Sequence, residues 1–295
     1  MVTIFYSATK VRQNKSAFKH YFNIELIQTD TNLYQFLLFV AQLGWLFLDY
    51  ALFMGHLMCY NAVKEVNYMA YTEKEIIEIC EKEMQNPSTF YQAEVINYRG
   101  RTSDTDELYN EIVAKYVCEH IKEFIGGIPK ITRKTTYKTA SHTGEHIPSD
   151  SRKEEQIAVE LFNQKHFDFI GDIIDYQTPL KNTSKDVAGK IDLLSYDGET
   201  LYILELKKPD STETMLRCVL EGYTYMKTAD TEKLLSNFGL PDDTKVVACP
   251  FVFLNGEQYN EMKENRPYLK NIMHLLNSKP YYIIKENNGY KIVEG

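Results

Sequence analysis

The chain has 295 residues, of which 44% are hydrophobic and 25% charged, and a formal net charge of -8. These values exclude a disordered or fibrous chain and describe a soluble globular one with room for a sizeable core. The acidic balance gives no support to nucleic acid as a partner, yet an enzyme that meets phosphate through a divalent metal and a few local cations is equally compatible with it.

The five cysteines, Cys59, Cys80, Cys118, Cys218 and Cys249, are odd in number, scattered and without a CxxC pair. Structural zinc and a disulfide framework are disfavoured, and a reducing cytoplasm is expected. The opening MVTIFYSATK lacks the basic, apolar, small-residue order of a signal peptide.

In chain order, the first segment (1–68) carries the apolar run LYQFLLFVAQLGWLFLDYALFMGHLMCY from Leu33 to Tyr60. Gln35, Gln42, Asp49 and His56 interrupt it, and Asp49 would be costly in lipid. A buried helix pair, a weak membrane anchor and a segment outside the native product all fit this pattern. The third has its motive in Met69, after which Thr72 and Glu75 make a capping box ahead of an amphipathic helix, as at a natural start.

The second segment (69–150) reads as a helical accessory region and a polar linker. From Asp104 to Gly127 the apolar residues Leu108, Ile112, Val113, Tyr116, Val117, Ile121 and Ile125 predict one single-faced helix closed by Gly126 and Gly127. Residues 129–150, rich in Thr and Ser, predict an exposed linker whose Lys130, Arg133, Lys134 and Lys138 form the most basic window of the chain. A solvated face is the simpler account of that window, and contact with a nucleic-acid backbone the alternative. His142 and His146 lie four apart, but no helix aligns them as metal ligands.

The third segment (151–295) predicts a helix over 151–164, a short strand over 172–179, and a hairpin over 189–208 turning at Asp197-Gly198. A helix over 212–227, a strand over 244–254 and a hairpin over 281–294 with an Asn-Gly turn follow. Helices alternating with strands mean an α/β domain.

Side chains alternate along a strand, so Ile203, Glu205 and Lys207 share one face. A symmetric turn at Asp197-Gly198 places Asp192 opposite Ile203 and diagonal to Glu205, on the same face; a slip of one residue would remove it. Two carboxylates and an ammonium on one face suit phosphodiester hydrolysis, because hard oxygens bind Mg2+ and a lysine can orient the attacking water. A plain Glu-Lys ion pair fits the interior apolar run around it poorly.

Asp192, twelve intervening residues and then Glu205-Leu206-Lys207 at the end of an apolar strand resemble the signature of the PD-(D/E)XK nuclease superfamily over residues 151–260. Ile191 stands where that family often has proline. The resemblance implies a restriction-endonuclease-like mixed β-sheet core flanked by helices, with an α-helical region before it. It implies a Mg2+-dependent nuclease, with Mn2+ able to substitute, acting on DNA in preference to RNA. Carried over by position, Asp192, Glu205 and the Leu206 backbone carbonyl are metal ligands and Lys207 is the catalytic lysine. For the additional carboxylate, the face of Ile157, Ala158, Leu161 and Phe162 centres on Glu154, whose alternative is to cap its own helix. Arg217, Glu221 and Tyr225 form one polar stripe on the next helix, either beside the site or as an exposed Arg-Glu pair. Lys208 is a candidate phosphate contact. The rival readings are an inactive nuclease-fold module that binds nucleic acid or protein, and a membrane-associated interaction protein resting on residues 33–60; a homodimer is compatible with either.

Overall fold

Thr72 stops the chain ahead of the first helix, and the reason is the reciprocal cap expected there. Its hydroxyl accepts the Glu75 N–H at 3.2 Å and the Glu75 carboxylate accepts the Thr72 N–H at 2.8 Å. Helix α1 (Glu73–Glu83) then buries Ile76 and Cys80, one turn apart. Replacing Thr72 by alanine is expected to lower stability by about 1 kcal/mol, read as a shift of the urea midpoint at constant m.

This structure, a computed structural model, describes residues 70–295 apart from 146–148, 184–185 and 187–188. The apolar segment 1–68, the Met69 start and His146 lie outside the described residues. Among the described residues no helix is long and apolar enough to cross a membrane, and Cys80, Cys118, Cys218 and Cys249 are free thiols.

The expected single helix over 104–127 is two. Asp106 takes a left-handed φ of 57° and interrupts the helical run, so α2 begins only at Tyr109 (Tyr109–Glu119). His120 then leaves helical geometry, with its ring folded back on the Tyr116 carbonyl at 2.9 Å, before the short α3 (Ile121–Gly126).

Residues 129–145 are not a free linker. Ile131 bridges Ala229, and Tyr137 is fully buried with its hydroxyl accepting the Asp230 N–H at 2.9 Å. Two apolar anchors outweigh the polar residues around them. Of the basic window, Arg133 is buried against Tyr137, and Lys130 pairs with Asp230 at 3.0 Å.

Helix α4 (Lys153–Gln164) leads into a seven-stranded sheet whose strands lie side by side in chain order. They are β1 (His166–Phe167), β2 (Gly171–Pro179), β3 (Lys190–Tyr196), β4 (Thr200–Leu206), β5 (Lys245–Phe253), β6 (Tyr281–Glu286) and β7 (Gly289–Glu294). The first four are antiparallel, β4, β5 and β6 run parallel, and β7 returns antiparallel. Parallel neighbours need crossovers. Helices α5 (Met215–Thr228) and α6 (Thr231–Phe238) supply the first, and α7 (Glu257–Lys263) and α8 (Pro267–Leu275) the second. The turn between β6 and β7 has Asn287 and Asn288 at its centre, since Glu286 pairs with Gly289; the expected Asn-Gly turn is displaced by one residue, and the glycine serves the strand start at φ 128°.

Alternation along the strands divides two cores. Leu193, Leu204 and Leu206 join Ile157 and Leu161 of α4, whereas Leu194 and Ile203 join Val219 and Leu220 of α5. The second core also takes Ile76, Phe90, Ile112 and Phe124. Residues 70–128 therefore close the layer over α5 and belong to one compact unit with the sheet.

Candidate functional site

The β3–β4 hairpin pairs Leu194 with Ile203 and Leu193 with Leu204. This differs by two residues from a turn centred on Asp197-Gly198. Gly198 occupies the first central position instead, at φ 106°, and Asp197 closes the turn: its N–H reaches Thr200 O at 3.3 Å, and its carboxylate accepts the N–H groups of Glu199 at 2.9 Å and Thr200 at 2.7 Å. Because the shift is even, it changes Asp192's partner and not its face. Extending the register by one pair puts Asp192 directly opposite Glu205 rather than diagonal to it. The β2–β3 register likewise sets Gln177 opposite Asp192.

The ladder between β3 and β4 ends at Leu193 and Leu204. Beyond it, Asp192 takes over as acceptor for the Leu206 N–H at 3.0 Å, and its other oxygen accepts the Gln177 amide at 2.9 Å. On the far side Glu205 pairs with Pro250, which precedes the first β5–β6 pair and so removes no ladder bond. Gln177 sits at φ 49°, a left-handed backbone for a residue with a side chain, right beside the site.

Helix α5 covers this face closely. At Gly222 an added Cβ would stand 3.2 Å from the Glu205 Cβ, so glycine sets the distance of approach. One turn of α5 then places Glu221 and Tyr225 over Lys207. The Lys207 ammonium is 2.8 Å from Glu205, 2.8 Å from Glu213 and 3.1 Å from Glu221, and the residue is only 5% exposed. The Tyr225 hydroxyl donates to Glu221 at 2.9 Å and lies 3.4 Å from the Tyr91 hydroxyl. Arg217 lies 3.0 Å from Glu213 and 3.6 Å from Glu221. Glu221 and Tyr225 are buried and Arg217 is half-buried, so the stripe lies beside Lys207 and is not an exposed surface pair.

Glu154 does not cap its own helix. Its carboxylate accepts the Lys208 N–H at 3.1 Å, tying the first turn of α4 to the end of β4. The Lys208 side chain turns outward, 38% exposed. His142 is separate from these residues: its Nδ1 lies 2.7 Å from the buried Asp175, and its ring stacks on Tyr176.

The charges explain one another. Burial pushes the Asp192 carboxyl up to about 7, against the pull of Lys207 and with the repulsion of Glu221 and Glu154. Burial and the Glu221 charge likewise push Glu205 well above the usual carboxylate range. Glu221 is held below it, because Lys207 and Arg217 outweigh its burial. Burial opposes the Lys207 charge, but Glu205 and Glu221 overcome it and keep the ammonium protonated. The Lys207 ammonium and the Arg217 guanidinium cannot together neutralise Asp192, Glu205, Glu213 and Glu221, and Arg217 reaches only the last two. The surplus appears as proton affinity at Asp192 and Glu205, the two carboxylates that face each other across β3 and β4.

That surplus is the kind of charge a hard divalent cation would offset. Among the described residues, no three His, Cys, Asp or Glu side chains converge closely enough to hold a metal ion by themselves. Gln177 and Glu213 escaped the sequence reading. Gln177 was recoverable by counting across β2 and β3; Glu213 lies in a loop with no periodicity to betray it. Comparisons with protein-family models, with curated proteins and with solved structures find no match to this chain.

Proposed function

We propose that the chain is a divalent-metal-dependent nuclease with a PD-(D/E)XK centre on a restriction-endonuclease-like core, hydrolysing phosphodiester bonds of DNA in preference to RNA. The supporting order is α4 with Glu154, the hairpin with Asp192 and Glu205-x-Lys207, then α5 and β5. The single observation that carries the reading is that Asp192 and Glu205 occupy facing positions with the Lys207 ammonium 2.8 Å from Glu205.

Asp192, Glu205, the Leu206 carbonyl and Glu154 would hold Mg2+ or Mn2+, completed by solvent. An ion held by these residues would supply a water of lowered pKa and would offset charge on the phosphate. The chain's own residues do the rest. Lys207 carries a proton and a positive charge beside Glu205, where it can orient the attacking water and offset charge on the phosphate. Glu221, steadied by Tyr225, and Glu213 hold that ammonium in place. Gln177 aligns the Asp192 carboxylate, and Lys208 faces outward to meet phosphate.

A second reading, an inactive nuclease-fold module that binds nucleic acid or protein, is favoured by one observation: three carboxylates engage the Lys207 ammonium in a nearly closed setting. Plasmid and single-stranded DNA incubated with Mg2+ or Mn2+ separate the two. Under the nuclease reading the wild type cleaves, and Asp192→Ala and Lys207→Ala lose on the order of 10²–10³-fold. Equal cleavage by all three proteins would place the activity elsewhere. No cleavage by the wild type under any condition would leave the binding module.

A further inference from the structure

In a chain of net charge -8, exposed lysines gather around one end of the sheet, on both sides of Asp192. On the first side Lys190 begins β3 and pairs with Pro179 at the end of β2. Lys181 follows two residues after Pro179, and its carbonyl accepts from Arg133. Lys134 is anchored there through its N–H, which donates to the Asn182 side chain at 2.6 Å. All three lysines are exposed. Strand alternation puts Lys190 on the face of Asp192, two residues away. Among the described residues neither Lys134 nor Lys190 has an ion-pair partner, and Lys181 has Asp186 as its charged neighbour.

On the second side stand Lys208 and Lys153. Lys208 follows the catalytic lysine candidate, and Lys153 precedes Glu154, which accepts the Lys208 N–H. Both ammonium groups lie 3.6 Å from one shared carboxylate, Asp210, and the Lys208 and Lys153 side chains are 38% and 49% exposed. Asp210 is shared between the two lysines and Glu154 is engaged by the Lys208 N–H, so both lysine side chains stay partly open to a phosphate from solvent. Strands β2, β3 and β4 are neighbours, so the two groups flank Asp192 and Gln177 across a width of only a few strand spacings, about 5 Å each.

The geometry points to a track for a nucleic-acid backbone that runs over Lys134, Lys181 and Lys190, passes Asp192, and leaves over Lys153 and Lys208. The track deepens the nuclease reading and rests on it for what becomes of the bound backbone; the binding is measurable without cleavage. Phosphates neutralised by lysines release counterions, so the track has a thermodynamic signature in the salt dependence of binding. From the basic window of 129–150 the track takes Lys134, whereas Lys130 and Arg133 are engaged within the protein.

The test uses the full chain in EDTA, with fluorescence anisotropy of a labelled DNA duplex and of the matching single strand over a salt titration. For the duplex, log K against log salt is expected to fall with a slope of about -4.5 for the wild type, about 0.9 for each of the five lysines. Lys134→Glu/Lys181→Glu/Lys190→Glu should flatten it by about 2.7, and Lys153→Glu/Lys208→Glu by about 1.8, each with an affinity loss of tenfold or more at the lowest salt. Lys74→Glu/Lys122→Glu, on α1 and α3, should bind as the wild type does. Circular dichroism melts certify the fold of each variant. A wild-type slope near zero, or control variants as impaired as the track variants, overturns the track. Cleavage assayed on the same preparations with Mg2+ keeps the two proposals apart. Lysine-dependent binding without cleavage retains the track and sinks the nuclease; cleavage with unimpaired binding by the lysine variants does the reverse.

Discussion

Lys207→Ala is expected to lower folding stability by about 3–5 kcal/mol, beyond its effect on cleavage. The ammonium lies within 3.1 Å of Glu205, Glu213 and Glu221, and the first and last of these are themselves almost fully buried. Removing it leaves Glu205 without a cation and Glu213 and Glu221 with Arg217 alone, in a poorly solvated space where an unpaired carboxylate must take up a proton. The loss should shrink as pH falls and the carboxylates protonate. A compensated variant tests the cause. Lys207→Met together with Glu205→Gln and Glu221→Gln removes charge from both sides and should recover most of the stability while remaining inactive. Urea unfolding of the two variants across pH decides it. Equal instability in both would mean that packing of the lysine stem, rather than charge, is what holds α5 against β4.

The second large effect concerns Asp192 and is read without any substrate. Its folded carboxyl is pushed up to about 7, whereas in the unfolded chain it titrates near the usual value of about 4. Between those values the native state binds the extra proton. Stability therefore falls as pH rises from about 4 towards 7, and the full cost is present above 7. Asp192→Asn removes the charge while keeping one acceptor for the Leu206 N–H. It is expected to be more stable than the wild type at pH 8 by roughly 1–3 kcal/mol, with the difference gone near pH 4. Mg2+ should offset the same cost: at about 100-fold its Kd it would stabilise the wild type by about 2.7 kcal/mol and leave Asp192→Asn nearly unchanged. Thermal melts at two pH values, with and without Mg2+, give all four numbers. An equal Mg2+ shift in both proteins would remove Asp192 from the proposed metal site.

Much of the fold can be read along the chain because its signals are local. The Thr72–Glu75 cap, the apolar strand runs at 201–206 and 245–253, and the closing hairpin depend on residues a few positions apart. Where a reading misses, a non-local or conformational choice is responsible. Asp106 breaks the expected long helix by adopting a positive φ, and Tyr137 anchors an otherwise polar segment through Asp230, nearly a hundred residues away. The turn after β3 is displaced because Gly198 is better used at the first central position, with Asp197 closing the loop through its side chain.

The same division runs through the site. That Asp192, Glu205 and Lys207 share a face was determined by the sequence alone, since strand alternation has a period of two and the displaced turn moved the pairing by an even number of residues. Which groups surround them was decided only in three dimensions. Gly222 lets α5 settle against Glu205, Glu221 and Glu213 arrive on Lys207 from beyond the strand, and Glu154 reaches the Lys208 N–H from another helix. Burial then changes what the residues are chemically: it raises Asp192 and Glu205 towards their protonated forms, a consequence of removing water that no pattern of residues along the chain can express.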